Sequence, residues 1–242
     1  MNIMQPPKST KCTAQIAAKG ASTRRNRSGR ITQTKILDAA EQIFAEKGIH
    51  GASLREIMIE AEVNIAAVNY YFGNKSDLLR AVVQRRSSVI NSARMTLLDT
   101  AYAPDRSAIS LDGWLKAFIT PFADAENNPD PGWRNFMRVL NWVATTQAQD
   151  KLCQEIVQET YGAMRKNFVE ALAQALPNLS AEDIAWRYQC AIAVMRACVI
   201  TRDRVASSSM GAIDSVDVPR MLAHIMPFLR GGFTAPASGF AS

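Results

Sequence analysis

The sequence predicts an all-α protein in two parts, an N-terminal three-helix helix-turn-helix unit followed by a C-terminal helical bundle. Three observations carry this. Apolar residues recur at helical spacing along most of the chain, and no convincing alternating strand or Asn-Gly hairpin interrupts them. Pairs of Ser or Asn with an acid three positions on mark helix starts at Ser53-x-x-Glu56, Asn74-x-x-Asp77 and Ser180-x-x-Asp183. Breaks at Asn127-Asn128-Pro129-Asp130-Pro131 and Leu176-Pro177-Asn178 punctuate the second part. With 242 residues, 48% of them hydrophobic, the chain can bury a substantial core and is not largely disordered.

Residues 1–29 read as a disordered basic arm. Lys8, Lys11, Lys19, Arg24, Arg25, Arg27 and Arg30 give the first 30 residues 7 basic side chains and no acid. The rest of the chain holds 21 basic and 22 acidic residues, so the net charge of +6 resides in this arm. Such an arm is an electrostatic handle for an acidic polymer. An organellar transit peptide and a solvated tail without a role are the other readings. The helix-turn-helix pattern directly after the arm favours nucleic acid.

The first helix is expected over Thr32–Lys47, with Ile36, Ala40, Ile43 and Phe44 as its inner stripe and Gly48 as its stop. The second starts at the capping box Ser53-x-x-Glu56 and turns Leu54, Ile57 and Met58 inward. The third is capped by Asn64, and the fourth runs from about Asn74 to Asp99. Residues 30–80 thus form the helix-turn-helix unit. Past the loop "YAPDRSAIS", helices are expected at 112–125, 132–148, 151–176, 180–206 and 217–230, the last with Pro219 in its first turn. They place a bundle over 81–231, and "GGFTAPASGFAS" closes the chain as a disordered tail, residues 232–242.

The stretch "VNIAAVNYYFGNKSDLL" carries the chemistry. A helical wheel groups Val68 and Phe72, with Ile65 nearby, as an anchor, while Ala66, Ala67 and Tyr70 lie opposite and Asn69 and Tyr71 flank them. Small residues let a backbone approach base edges, and an alanine methyl can meet a thymine methyl. Asparagine matches an adenine edge, and tyrosine hydroxyls can donate to phosphates. Lys75 adds its charge to the positive end of the fourth helix, where phosphate is the natural guest. Interfacial tyrosines beside an ordinary turn are the competing structural reading.

The landmarks "ILDAAEQIFAEKG", "GASLREIMIEAEV" and "AAVNYYFGNKSDLL" occur in an order and spacing that resemble the DNA-binding domain of the TetR family of bacterial repressors. The resemblance covers about 50 residues, Arg30 to Leu79. It implies phosphate contacts at Ser53, Tyr71 and Lys75 and groove-facing positions at Ala66, Ala67 and Tyr70. Two departures stand out. Glu62 occupies a turn position where the family usually has glycine. Asn69 replaces the commoner tyrosine, which opens a base contact there. Ile65 is core by the wheel and near the groove by the family pattern. The candidate DNA-binding set is therefore Ser53, Asn64, Ala66, Ala67, Asn69, Tyr70, Tyr71 and Lys75.

The resemblance also implies a C-terminal domain that dimerises and binds a small effector. Independently, "IAWRYQCAIAVMRACVI" over 184–200 is apolar or small around most of its circumference, as in a helix buried on two fronts, and Met221, Leu222, Ile225 and Leu229 recur in the last helix. A symmetric homodimer is the expectation, with a monomeric bundle as the alternative. Two recognition helices related by a two-fold axis require a palindromic operator in double-stranded DNA. For the effector cavity the candidates are Trp114, Phe118, Trp133, Met137, Trp142 and Tyr161, with Phe122 and Trp186 as further aromatics and Arg138 and Arg165 for an anionic group. The sequence leaves the effector itself unknown.

Other classes find little support. There is no G-x-S-x-G, G-x-x-x-x-G-K-[ST] or H-E-x-x-H motif, so an enzyme is not expected, nor a cofactor or metal. His50 and His224, the only histidines, read as structural. Cys12, Cys153, Cys190 and Cys198 show no C-x-x-C pairing and read as buried free thiols, with a redox sensor as the sharper alternative. No charge-free run approaches the roughly 18–20 residues that span a bilayer, and no apolar leader appears, so no membrane association and a cytoplasmic location are expected. A ligand-responsive repressor is the favoured function. A helical protein-protein adaptor, or a non-specific DNA-coating protein using the basic arm, is the alternative.

Overall fold

In the computed structural model the backbone is described for residues 11–200, 203–213 and 217–237, and side chains from residue 28 onward within those ranges, apart from 199, 200 and 203. Within these residues ten helices occur in order: α1 Lys11–Gly51, α2 Leu54–Ala61, α3 Ile65–Phe72, α4 Lys75–Ala101, α5 Leu111–Glu126, α6 Pro131–Thr146, α7 Lys151–Ala175, α8 Ala181–Ile200, α9 Asp203–Ser208 and α10 Val218–Thr234. Among the described residues the one non-helical pairing is an isolated bridge between Tyr102 and Ile109.

Several expected boundaries shift. The backbone of α1 is helical from Lys11, so residues 11–29 of the expected disordered arm continue the first helix, and residues 1–10 lie outside the described residues. Gly48 does break α1, with φ 66° and ψ 173°, a conformation glycine adopts without steric penalty. The expected helix over 180–206 is divided into α8 and α9. Helix α10 takes in residues 232–234 of the expected tail, whose residues 238–242 lie outside the described set.

The expected caps form. Ser53 and Glu56 make the reciprocal capping box of α2, Asn64 accepts the Ala67 amide at the start of α3, and Asn74 accepts the Asp77 amide at the start of α4. Each such cap stabilises its helix by about 1 kcal/mol. Short helices of 8 residues, like α2 and α3, are not stable alone and depend on their packed faces.

Among the described residues, two apolar clusters fill the interior. The first gathers Ile36, Phe44, Ile57, Val68 and Phe72 with Leu78, Leu79, Val82 and Val83 of α4, and it also takes Val139, Val143, Cys153 and Ile156 from α6 and α7. The second surrounds Trp114, Phe118, Phe136 and Phe168 and reaches α8 and α10. Helix α4 belongs to both, since Ile90 and Leu98 join the second cluster. A residue-80 boundary therefore falls inside a continuous helix whose two halves serve two cores.

Buried ion pairs tie the same elements together. Glu41 of α1, 1% exposed, accepts from Arg85 Nη2 and Arg86 Nε, both at 2.8 Å. Arg85 also meets Asp38, and Arg86 meets Asp130 at the cap of α6 and lies over the Trp133 ring. At the far end, Arg187 of α8 donates to the carbonyls of Gly232, Phe233, Ala235 and Pro236, closing the C-terminus of α10.

Candidate DNA-binding face and effector cavity

Helix α3 buries Val68 and Phe72, which turns Ala66, Asn69 and Tyr70 outward; Tyr70 is 82% exposed. Ala67 and Tyr71, four residues apart, share one flank of α3 and rest half-buried on the first cluster. Ala67 is thus set back from the outer face that the wheel and the family pattern assigned it. Ile65 shares the other flank with Asn69 and is 45% exposed, so it joins the outer face instead of the core. The Tyr71 ring meets Tyr70 edge-on at 5.0 Å. Its hydroxyl lies 3.1 Å from where a Cβ on Gly29 would stand, so α1 passes directly beside α3.

Two candidate phosphate ligands already have partners. The Ser53 hydroxyl donates to Glu56 Oε2 at 2.8 Å and accepts the Glu56 amide. Lys75 Nζ, half-buried, donates to the Ala52 carbonyl at 3.0 Å. Lys75 therefore fixes the turn that precedes α2 to the first turn of α4, and two ammonium hydrogens remain for another acceptor. Asn64 Oδ1 is held by the Ala67 amide at 2.9 Å.

The turn between α2 and α3 answers the Glu62 departure. Glu62 is the C-cap of α2 with φ 54° and ψ 44°, the left-handed region, and its amide donates to the Ile59 and Met58 carbonyls. Glycine suits that conformation, and glutamate adopts it here at a steric cost.

A cavity of about 390 Å³ opens between α4, α5, α6, α7 and α8. Of the eight expected lining residues, Phe118, Tyr161 and Arg165 line it. The other five do not. Trp114 is wholly buried, donates from Nε1 to the Phe168 carbonyl at 2.8 Å, and stacks on Phe118 as plain core. Met137 is core as well. Trp133 lies under Arg86, Trp142 packs beside Gly48 and edge-on to His50, and Arg138 is exposed. Of the further aromatics, Phe122 lines the cavity and Trp186 is exposed at the surface.

Sequence reasoning missed Arg94, Tyr188 and Arg196, all on the cavity wall. Arg94 is 3% exposed; its Nε donates to the Phe118 carbonyl at 2.9 Å and its Nη2 to Met195 Sδ at 3.2 Å. Burial lowers its affinity for the proton. Burial also raises the phenol pKa values of Tyr161 and Tyr188 and lowers that of Arg196. One signal for Arg94 was present: Val83, Ser87, Ile90 and Leu98 form a buried stripe on α4, and Arg94 falls in phase with it.

The cysteines and histidines meet different surroundings. Cys153 is buried, and desolvation pushes its thiol up to about 11; Cys198 is half-buried, but Cys190 is exposed, contrary to expectation. The side chain of Cys12 lies outside the described residues. His50 lies 3.6 Å from Asp150, and His224 is exposed rather than packed inside. No helix among the described residues is long and apolar enough to cross a membrane.

Residues 36–82 match the model for bacterial regulatory proteins of the tetR family, and residues 116–232 match that for the tetracyclin repressor-like C-terminal domain. The chain belongs to the TetR family. Over 52 residues it is 42% identical to the probable HTH-type transcriptional regulator YttP of Bacillus subtilis, across 22% of this chain and 25% of that protein. Over 88 residues it is 29% identical to the HTH-type transcriptional repressor SCO4008 of Streptomyces coelicolor, across 36% of this chain and 41% of the repressor. The chain thus aligns with less than half the length of either relative. The fold is shared with the transcriptional regulator FadR of Bacillus subtilis, solved in complex with stearoyl-CoA, at a TM-score of 0.57 and 17% identity over 83% of this chain and 98% of that one. In this TetR-family chain the segment from Ser53 to Lys75 falls inside the matched N-terminal region, whereas Ile90 and Arg94 lie between the two matched regions.

Proposed function

We propose that this chain is a homodimeric, sequence-specific DNA-binding transcriptional regulator, acting in the cytoplasm as a repressor that a small-molecule effector releases from a palindromic operator. The observation that carries the reading is the outer face of α3. Ala66, Asn69 and Tyr70 stand exposed on a helix that Asn64 caps and that Val68 and Phe72 fix to the core. That is a small, hydrogen-bonding surface on a rigid support, suited to base edges in a major groove. Ile65 extends it with a methyl-bearing surface. Tyr71 and Lys75 offer donors to the flanking phosphates, and Ser53 and Asn64 hold the two helix starts in register.

Dimerisation is supported by a surface that one copy leaves uncovered. On α8, Trp186, Cys190 and Ala193 form an exposed stripe, and the adjoining α10 exposes Ala223, Pro227, Phe228 and Gly231. Trp186 is 65% and Phe228 68% exposed, which is unusual for large apolar side chains unless a partner covers them. A second copy placing the same stripe against this one gives a two-fold interface. Control follows from α4, which carries the DNA-facing Lys75 at its start and cavity residues Ile90 and Arg94 in its middle. A ligand with different affinities for two orientations of α4 shifts operator affinity by that difference.

The test is selection of random duplex DNA on the purified protein, followed by anisotropy titration at two salt concentrations. An inverted repeat bound far more tightly than scrambled DNA is expected, with Asn69→Ala changing the preferred base at one position of each half-site. Weak, steeply salt-dependent binding without a motif would leave only a DNA-coating role for the basic arm.

A further inference from the structure

Among the described residues the cavity wall holds three arginines, Arg94, Arg165 and Arg196, and no carboxylate. Arg94 is the sharpest of these features. Its guanidinium is buried between the Phe118 and Phe122 rings, at 4.8 and 5.8 Å from their centroids, and among the described residues no acid pairs with it. Its hydrogen-bond partners are a carbonyl and a thioether, neither of which neutralises a charge. Arginine keeps its proton in such a place, so the chain carries a permanent buried cation facing a cavity. Nearby, Arg196 donates to Asn141 Oδ1 at 2.8 Å, and the Tyr161 hydroxyl, 2.7 Å from Ser87 Oγ, is within electrostatic range of both Arg94 and Arg196.

We propose that the effector is an organic acid, whose carboxylate is held by Arg94 with Tyr161 and Arg196 as further donors, and whose apolar body lies along Phe118, Phe122 and Ile192. This deepens the ligand-responsive reading and rests on it. A carboxylate completes what the fold leaves open: it supplies the missing counter-charge and matches the forked geometry of a guanidinium. A cationic ligand meets three like charges and no acid, and a neutral ligand leaves the buried cation uncompensated. The cavity of about 390 Å³ has the size of a small-molecule site, with an apolar lining to exclude water from the pair.

The test reads binding directly, without DNA. Decanoate and 4-phenylbutyrate are titrated calorimetrically into the full chain, each beside its alcohol and its trimethylammonium counterpart, with inorganic phosphate as a control. At least one carboxylate is expected to bind tenfold or more tightly than its alcohol, and no ammonium counterpart is expected to bind measurably. Arg94→Met should abolish that preference while melting no lower than the wild type without ligand, because it removes an unpaired buried cation. A merely structural Arg94 would instead show a lowered melting temperature and an unchanged preference. Should Arg94→Met not fold, Arg94→Lys keeps the charge but not the fork and should retain only part of the preference. Alcohols binding as well as acids, a preferred ammonium ligand, phosphate alone binding, or no carboxylate binding would each overturn the proposal. The selected operator is titrated separately: carboxylate binding with unchanged operator affinity would leave the ligand class standing and remove its regulatory role.

Discussion

Two arginines, Arg86 half-buried and Arg94 buried, stand eight residues apart on α4 and face opposite fates. Arg86 reaches Glu41 and Asp130, and its whole surrounding is built to satisfy it. Arg94, more deeply buried, meets among the described residues a carbonyl, a thioether and two ring faces. The Arg86 pairs fasten α1 and α6 to α4 in a fixed relation. The lone charge holds nothing comparable, and its natural partner is something that comes and goes. A paired buried charge reads as framework; an unpaired one beside a cavity reads as function.

Breaking the paired side should have the largest effect. Among the described residues, Glu41→Ala leaves the half-buried Arg86 with Asp130 and Arg85 with the exposed Asp38, and removal of one partner from a buried ion pair costs about 3 kcal/mol. The expected result is a marked fall in the urea midpoint. Operator affinity should weaken as well, because α1 and α4 together support α3. A Glu41→Ala protein as stable as wild type would mean that Arg86 is no more framework than Arg94, and the contrast would be lost.

The same contrast explains which parts of the molecule were legible in the sequence. The DNA-binding unit is written in local signals: Ser53 with Glu56, Asn64 with Ala67 and Asn74 with Asp77 act across three residues, so spacing reveals them. The cavity is assembled from five helices, and spacing within one helix cannot say which aromatic side chains meet. Trp114 and Met137 went to the core and Trp133 to Arg86, while Tyr188 and Arg196 came from a helix that reads as an interface. Arg94 was hidden because an arginine on a long helix normally lies in solvent; only its phase with Ser87, Ile90 and Leu98 betrays it. The exposed α8 stripe was half legible, since an apolar circumference indicates two buried fronts but not the position of Cys190 on the uncovered one.

A smaller effect tests the surface counterpart of the Arg86 pairs. Glu56 is half-buried at the start of α2, and its carboxyl is held at about 2 by bonds from Lys47 and then from the Ser53 hydroxyl and amide. Its folded pKa lies below the ordinary glutamate value of about 4.3, so its contribution is complete above that value. It is lost as pH falls toward 2. Thermal melts from pH 5 to 2.5 should therefore show wild type falling more steeply than Glu56→Gln, with the two curves converging at the acid end. Parallel curves would show that the box around Glu56 does not stabilise the charged carboxylate.

The smallest effect concerns Glu62, where a charge pair and a backbone conformation can be separated. Its side chain lies 3.7 Å from Lys35, with both groups exposed, a pair contributing about 0–1 kcal/mol. Its backbone sits in the left-handed region, which costs a non-glycine residue about 1–2 kcal/mol. Glu62→Ala removes the pair and keeps the strain; Glu62→Gly removes both but loosens the unfolded chain. The glycine variant should therefore exceed the alanine variant by about 1 kcal/mol in chemical denaturation, while differing from wild type by less. Equal stability of the two variants would mean the turn relaxes away from the left-handed geometry once Glu62 is gone. A gain for glycine would show that the turn holding α3 against α2 carries backbone strain in this chain, at a position where Arg86-like charge pairing has no part.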